Sequence, residues 1–230
     1  MNNAKTTADP FLKSCQYVIL PLILIALFTF YLQPHIDLAI ASYIHEKLTF
    51  DSRMLHYTSQ IISIIGWILP VGISLYYVTT REKKYLFLLT CYASSNIVTH
   101  LMIKPIWGRL RPYEIFPHHL DDYTSIFQLS NACQFDCSFI SGHTGLGFFL
   151  FSFAFIYPKY RYRIILTSVS LGLCLGLIRM LEHQHFLSDI IFSALVNMLI
   201  ITFVALTCLS INGSIFKPTK NLDTQTTLLR

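Results

Sequence analysis

The chain has 230 residues, of which 53% are hydrophobic and 13% are charged, with a formal net charge of +5 at pH 7. Soluble domains average about 25% charged residues, so this composition excludes an ordinary soluble protein. No Lys/Arg cluster is interleaved with aromatic residues, so the positive balance bears on loop topology and not on nucleic acid.

Several apolar runs reach the ~18–20 residues that cross ~30 Å of hydrocarbon. Residues 1–14 are polar, carry Lys5 and Lys13, and read as a tail. The run 16–31 has a basic flank, but Phe28-Thr29-Phe30-Tyr31 offers no small-x-small cleavage site, so it reads as an uncleaved first span. Ile36, Ala39, Ile40, Tyr43 and Ile44 then recur at three and four, which predicts a short amphipathic helix along the membrane interface. Span two, 57–78, holds Gly66 and Pro70, tolerable inside a packed bundle. Span three, 85–103, carries Ser94, Ser95, Asn96, Thr99 and His100, a polar stripe that must face protein or a water-filled cavity. His100 reads as a hydrogen-bonded packing residue.

A polar loop, 104–140, follows, and span four runs from 141 to 157. Span five, 164–181, places Ser168, Gly172 and Gly176 four apart, a spacing of small residues that lets helix backbones approach. Span six is 187–209, and 212–230 reads as a second tail. The expectation is an all-α, polytopic bundle of six transmembrane helices, forming one domain over 15–211. With six spans, eleven Lys/Arg share the side of both termini (among them Arg81, Lys83, Lys84, Lys159, Arg161 and Arg163). The other side holds six: Lys47, Arg53, Lys104, Arg109, Arg111 and Arg179. Positive residues favour the cytoplasm, so both termini are expected there and the loop 104–140 outside.

Three clusters fall on that outer face. Lys104 and Arg111 leave span three and can bind one phosphate, the Arg as a bidentate fork and the Lys as a point charge. Ser141-Gly142-His143 opens span four, where backbone N–H groups at a helix N-terminus form an anion site and His143 is placed as a general acid. Arg179, His185 and Asp189 have the spacing Arg-x5-His-x3-Asp, so the carboxylate can orient the imidazole across one helical turn. Singly, these read equally as a headgroup-contacting loop, a capping His and a buried salt bridge; together they favour phosphoryl chemistry.

Lys104-x6-Arg111-Pro112, Ser141-Gly142-His143 and Arg179-x5-His185-x3-Asp189 resemble the tripartite signature of the type-2 phosphatidic acid phosphatase superfamily. That superfamily includes lipid phosphate phosphatases and, as soluble relatives, bacterial acid phosphatases and vanadium haloperoxidases. Ile140 stands where Pro commonly precedes Ser-Gly-His, and Ile178 where Ser commonly precedes Arg179. The resemblance implies a phosphatase/haloperoxidase-type helical core with no metal and no cofactor. It implies that Lys104, Arg111, Arg179, Ser141 and Gly142 hold the phosphoryl oxygens. It further implies that His185 attacks phosphorus to form a phosphohistidine, Asp189 fixes its tautomer and His143 protonates the leaving oxygen.

The run Cys133-Gln134-Phe135-Asp136-Cys137-Ser138-Phe139-Ile140-Ser141-Gly142 is similar to that of bacterial lipid A phosphatases. Lipid A 1- or 4'-phosphate is therefore the favoured substrate, in the bacterial inner membrane with the site facing the periplasm. Undecaprenyl pyrophosphate, phosphatidylglycerophosphate and phosphatidic acid stay open, as do transfer of the phosphoryl group to another lipid and, in another class, an anion or lipid transporter. Cys133 and Cys137 either form a disulfide or remain two thiols. Arg109, Tyr113, Glu114, His118, His119, Asp121 and Asp122 read as loop residues solvated over the site, while Glu182 and His183 lie inside the third motif and the resemblance gives them no fixed role.

Overall fold

The computed structural model describes residues 10–48 and 52–211. The tail expected at 212–230, and 1–9 of the other, lie outside the described residues. The helix already runs from Pro10, because Leu12 is fully buried beside Phe87 and Phe155.

Every regular element among the described residues is helical. In chain order they are α1 (Pro10–Leu32), α2 (Ile36–Lys47), α3 (Ser52–Thr80), α4 (Lys83–Asn96), α5 (Lys104–Trp107), α6 (Pro112–Ile115), α7 (Gly142–Phe149), α8 (Phe153–Ile156), α9 (Arg161–Leu181) and α10 (Leu187–Ile211), with short 3-10 and π turns between. Among the described residues, five stretches are long and apolar enough to cross a membrane: Ser14–Leu32, Arg53–Thr80, Lys83–Ile115, Pro158–Leu181 and Leu187–Cys208. The expected fourth span, Gly142–Ile156, is apolar but shorter. The chain is a multi-pass membrane protein.

α10 is the most apolar and the most buried of the long helices, and its few polar side chains (Ser188, Asp189, Ser193, Asn197 and Thr202) are buried with it. α3 sits at the periphery and turns Trp67, Ile68 and Leu75 outward. α7 meets α9 with no side chain between backbones: a Cβ on Gly147 would strike the backbone of Gly172, and one on Gly172 would overlap Phe148. Ser168 Oγ donates to Gly147 O at 3.2 Å in the same contact. This is the close approach that the small-residue spacing predicts.

Two expectations are corrected. The helix of span three does not stop at Ile103. It widens to a π turn over Ile97–Ile103, with Lys104 N–H bonding Thr99 O, and continues as α5 to a left-handed cap at Gly108. Pro105 has no N–H to give, and its ring crowds the carbonyl four residues back, which the wider turn accommodates. Lys104 is thus a helical residue. The expected interfacial helix exists as α2, but it docks on the end of the bundle. It buries Ala41 against Ile115 and Phe186, and Ile44 against Met180 and Ile190. It also buries Asp37.

Beyond Gly108 the loop is tied down rather than solvated. Ser130 N–H donates to Trp107 O, Cys133 N–H to Gly108 O and Ser138 N–H to Arg109 O, while Trp107 Nε1 donates to Ile126 O at 2.7 Å. Cys133 and Cys137 are disulfide-bonded, which settles the alternative left open above.

Candidate active site

The end of the α4–α5 helix, the starts of α2, α3, α7 and α10, and the end of α9 meet at one end of the bundle. Lys104, at 3% exposure, donates to Cys137 O and lies 3.3 Å from Asp136 Oδ1. Arg111, at 5%, donates through Nε to Asp136 O at 2.9 Å and through Nη1 to Gln184 Oε1, and its Nη2 forms an ion pair with Asp136 Oδ2 at 2.6 Å. Gln184 Oε1 also accepts from Arg179 Nη2 at 3.2 Å. Arg179 Nη1 donates to Glu182 Oε2 at 2.8 Å, and the same oxygen accepts from Ser59 Oγ. Three cations from two separate motifs of the sequence therefore share partners.

Asp136 occupies a position suited to an anionic phosphoryl oxygen. Burial would raise its pKa, but the charges on Lys104 and Arg111 outweigh that and hold it below the usual carboxylate value. Arg179 Nε is buried with no hydrogen-bond partner among the described residues, which leaves one donor of that guanidinium available.

His185 lies in the turn between α9 and α10 at 3% exposure, with Nδ1 3.4 Å from Asp189 Oδ2. That is ion-pair distance, but the atoms are not aligned as a hydrogen bond. Burial, reinforced by Lys104 and Arg111 and opposed by Asp189, pushes the His185 pKa down to about 3. The ring is thus neutral near pH 7, and Asp189 faces Nδ1, which leaves Nε2 as the free lone pair. Ser141 caps α7, its Oγ accepting from Thr144 N–H at 3.4 Å, and its own N–H donates to Asp189 O. Gly142 packs against His100: an added Cβ would lie 2.9 Å from the ring Nε2. His143 Nε2 lies 3.0 Å from Ser63 Oγ and 3.4 Å from Ser59 O, on α3.

Beside this cluster, α3, α4, its π extension and α7 enclose a largely apolar cavity of about 600 Å³ that reaches His100, Gly142 and His143. Trp67 and Leu101 line it and are largely exposed on the outer surface of the bundle, so the cavity opens sideways.

A model of the PAP2 superfamily matches residues 84–210. The chain belongs to the PAP2 superfamily. It is 30% identical over 115 residues to a lipid A 4'-phosphatase of Francisella tularensis subsp. novicida, covering 48% of this chain and 52% of that protein. Against a lipid A 4'-phosphatase of Rhizobium leguminosarum it is 27% identical over 117 residues, 50% of this chain and 49% of the relative. A lipid A 1-phosphatase of Rhizobium etli is 33% identical over 108 residues, 46% and 42%. The chain thus spans about half the length of the curated relatives it matches. No solved structure gives a significant match.

Sequence reasoning missed several residues of this PAP2 site. Arg109 is not a solvated loop residue: at 1% exposure it donates from Nη1 to Asp189 Oδ1 at 2.9 Å and lies 4.1 Å over the Phe186 ring. Ser138 Oγ and Phe186 N–H donate to Asp189 Oδ2. Glu182 has a partner in Arg179, and Gln184 joins two cations. His100 packs against Gly142 at the cavity but makes no side-chain hydrogen bond among the described residues, so it is not the hydrogen-bonded residue expected. Ser193 and Asn197, one and two turns past Asp189, extend a polar face of α10 towards the start of α7, with Ser193 Oγ on Ser141 O at 2.6 Å. The visible signal was that same i, i+4, i+8 spacing.

Proposed function

We propose that this protein is an integral-membrane lipid phosphatase that works through a phosphohistidine on His185, with a 1- or 4'-phosphate of lipid A as its favoured substrate. The observation that carries the reading is the convergence of Lys104, Arg111 and Arg179 on shared partners, with a buried, neutral His185 and an apolar cavity that reaches His143. Three cations neutralise the charge spread over the equatorial phosphoryl oxygens, which is most of what phosphoryl transfer demands. The Nε2 lone pair of His185 attacks phosphorus, and the bond to the lipid oxygen breaks with its electrons on that oxygen. His143 supplies the proton. Water then attacks the phosphohistidine, gives its proton back to His143, and releases inorganic phosphate. The sideways-opening cavity suits an acyl chain, and the lipid A relatives favour that headgroup. Six crossings with both termini cytoplasmic would set the site on the periplasmic face of the inner membrane.

The test is phosphate release by the purified protein across lipid A, undecaprenyl pyrophosphate, phosphatidylglycerophosphate and phosphatidic acid. Lipid A is expected to be turned over fastest. His185→Ala and His143→Ala are expected to abolish release while the protein still inserts; full activity in the His185 variant refutes the reading.

A further inference from the structure

Asp37 lies outside the stretch 84–210 that carries the superfamily match, yet it is wired to the residue that orients His185. It sits in the first turn of α2 at 1% exposure. Oδ1 accepts from Ser188 N–H at 2.9 Å, and Oδ2 accepts from Ser188 Oγ and from Arg109 Nη2, the latter at 2.9 Å. The other arm of that guanidinium, Nη1, reaches Asp189 Oδ1 at 2.9 Å and Ser188 Oγ at 2.8 Å, while Nε donates to Thr124 O. The result is a buried line from Asp37 through Arg109 and Asp189 to His185.

Buried ion pairs are poor stabilisers, since desolvation offsets most of their attraction, so stability alone gives little reason for this line. Its charge count offers one. Arg109 with Asp189 alone would be a neutral couple, and the guanidinium would drain the field that Asp189 presents to the imidazole. Asp37 takes up half of that guanidinium, and the three groups together carry one net negative charge. A phosphorylated imidazole that keeps its Nδ1 proton is cationic, and in a low-dielectric interior one net negative charge a few ångströms away stabilises it strongly.

We infer that Asp37 is a positioning residue of the phosphoryl-transfer site, acting through Arg109 to keep Asp189 anionic in effect and aimed at His185 Nδ1. The site is therefore completed by a helix outside the superfamily-matched stretch. This inference rests on the phosphohistidine reading above.

The test uses the full chain in detergent micelles with 4'-³²P-labelled lipid A, measuring kcat and KM and trapping the phosphoenzyme by rapid quench. Asp37→Asn keeps the shape and is expected to lower kcat by roughly 10- to 100-fold, the range typical of partners that orient a reacting ligand. KM should hardly move, because no contact to substrate is lost. The double variant Asp37→Asn with Arg109→Met restores the single negative charge and is expected to be faster than Asp37→Asn alone. Wild-type kcat in a folded Asp37→Asn protein, a loss confined to KM, or a double variant no faster than the single one each overturns the inference. If Asp37→Asn does not fold, the double variant, which leaves no guanidinium without its Asp37 partner, decides: folded and active supports the inference, folded and inactive overturns it. Absence of label on His185 in the wild-type protein overturns the phosphohistidine reading itself.

Discussion

Lys104 and Arg111 are sunk into the protein, and Asp136 is the carboxylate that pairs with both from the disulfide-closed turn 133–137. On the proposed reading, an incoming phosphate displaces it. Its folded pKa is lowered, so the pairing is fully present above the ordinary carboxylate pKa and is lost only as pH falls through the lower folded value. Mild acid therefore does not relieve the competition, whereas Asp136→Asn does. The variant is expected to bind inorganic phosphate several-fold more tightly, read as a lower half-inhibitory concentration in the release assay; unchanged or weaker inhibition refutes the competition. The residues with a fixed spacing, Lys104, Arg111, Arg179, His185 and Asp189, were legible in the sequence because each motif is local. Arg109 and Asp37 were not. Their pairing spans 72 positions, and nothing in either neighbourhood distinguishes a buried partner from a solvated charge.

At the level of elements, apolar runs announced six spans, of which five are long helices among the described residues and Gly142–Ile156 is shorter. The small-residue spacing announced a close backbone approach on α9 that α7 fills. The wide turn before Pro105 was hidden, because a proline next to a polar loop reads as a helix end. The α7–α9 contact also fixes where α7 begins, hence where Ser141, Gly142 and His143 stand. Gly172→Val drives a side chain into Phe148, and the overpacking is expected to cost about 1–3 kcal/mol. Phosphate release should fall with it as α7 shifts. Gly72 meets nothing within 4 Å of an added Cβ, so Gly72→Ala is the matched control and should unfold no earlier than wild type. Thermal unfolding of the two variants in the same detergent checks this, and a Gly172→Val protein as stable as wild type refutes the packing argument.

For the whole molecule the open dimension is how α7 and α8 cross the bilayer. Gly142–Ile156 rises about 22 Å at ~1.5 Å per residue, short of the ~30 Å hydrocarbon core. A short crossing that starts at the proposed site would sink that site below the membrane surface, which is where a phosphate attached to a bilayer lipid would be met. If the segment crosses, the loop holding Asp121 and the start of α9 holding Tyr162 face opposite sides, with the basic link at Lys159, Arg161 and Arg163 in the cytoplasm. Both positions are exposed, so each accepts a reporter cysteine. On a background with Cys174 and Cys208 changed to serine, Asp121→Cys is expected to react with a membrane-impermeant maleimide in intact cells. Tyr162→Cys should react only after permeabilisation. Labelling of both from the same side would mean that α7 and α8 re-enter rather than cross, and the orientation of everything after Ile156 would reverse.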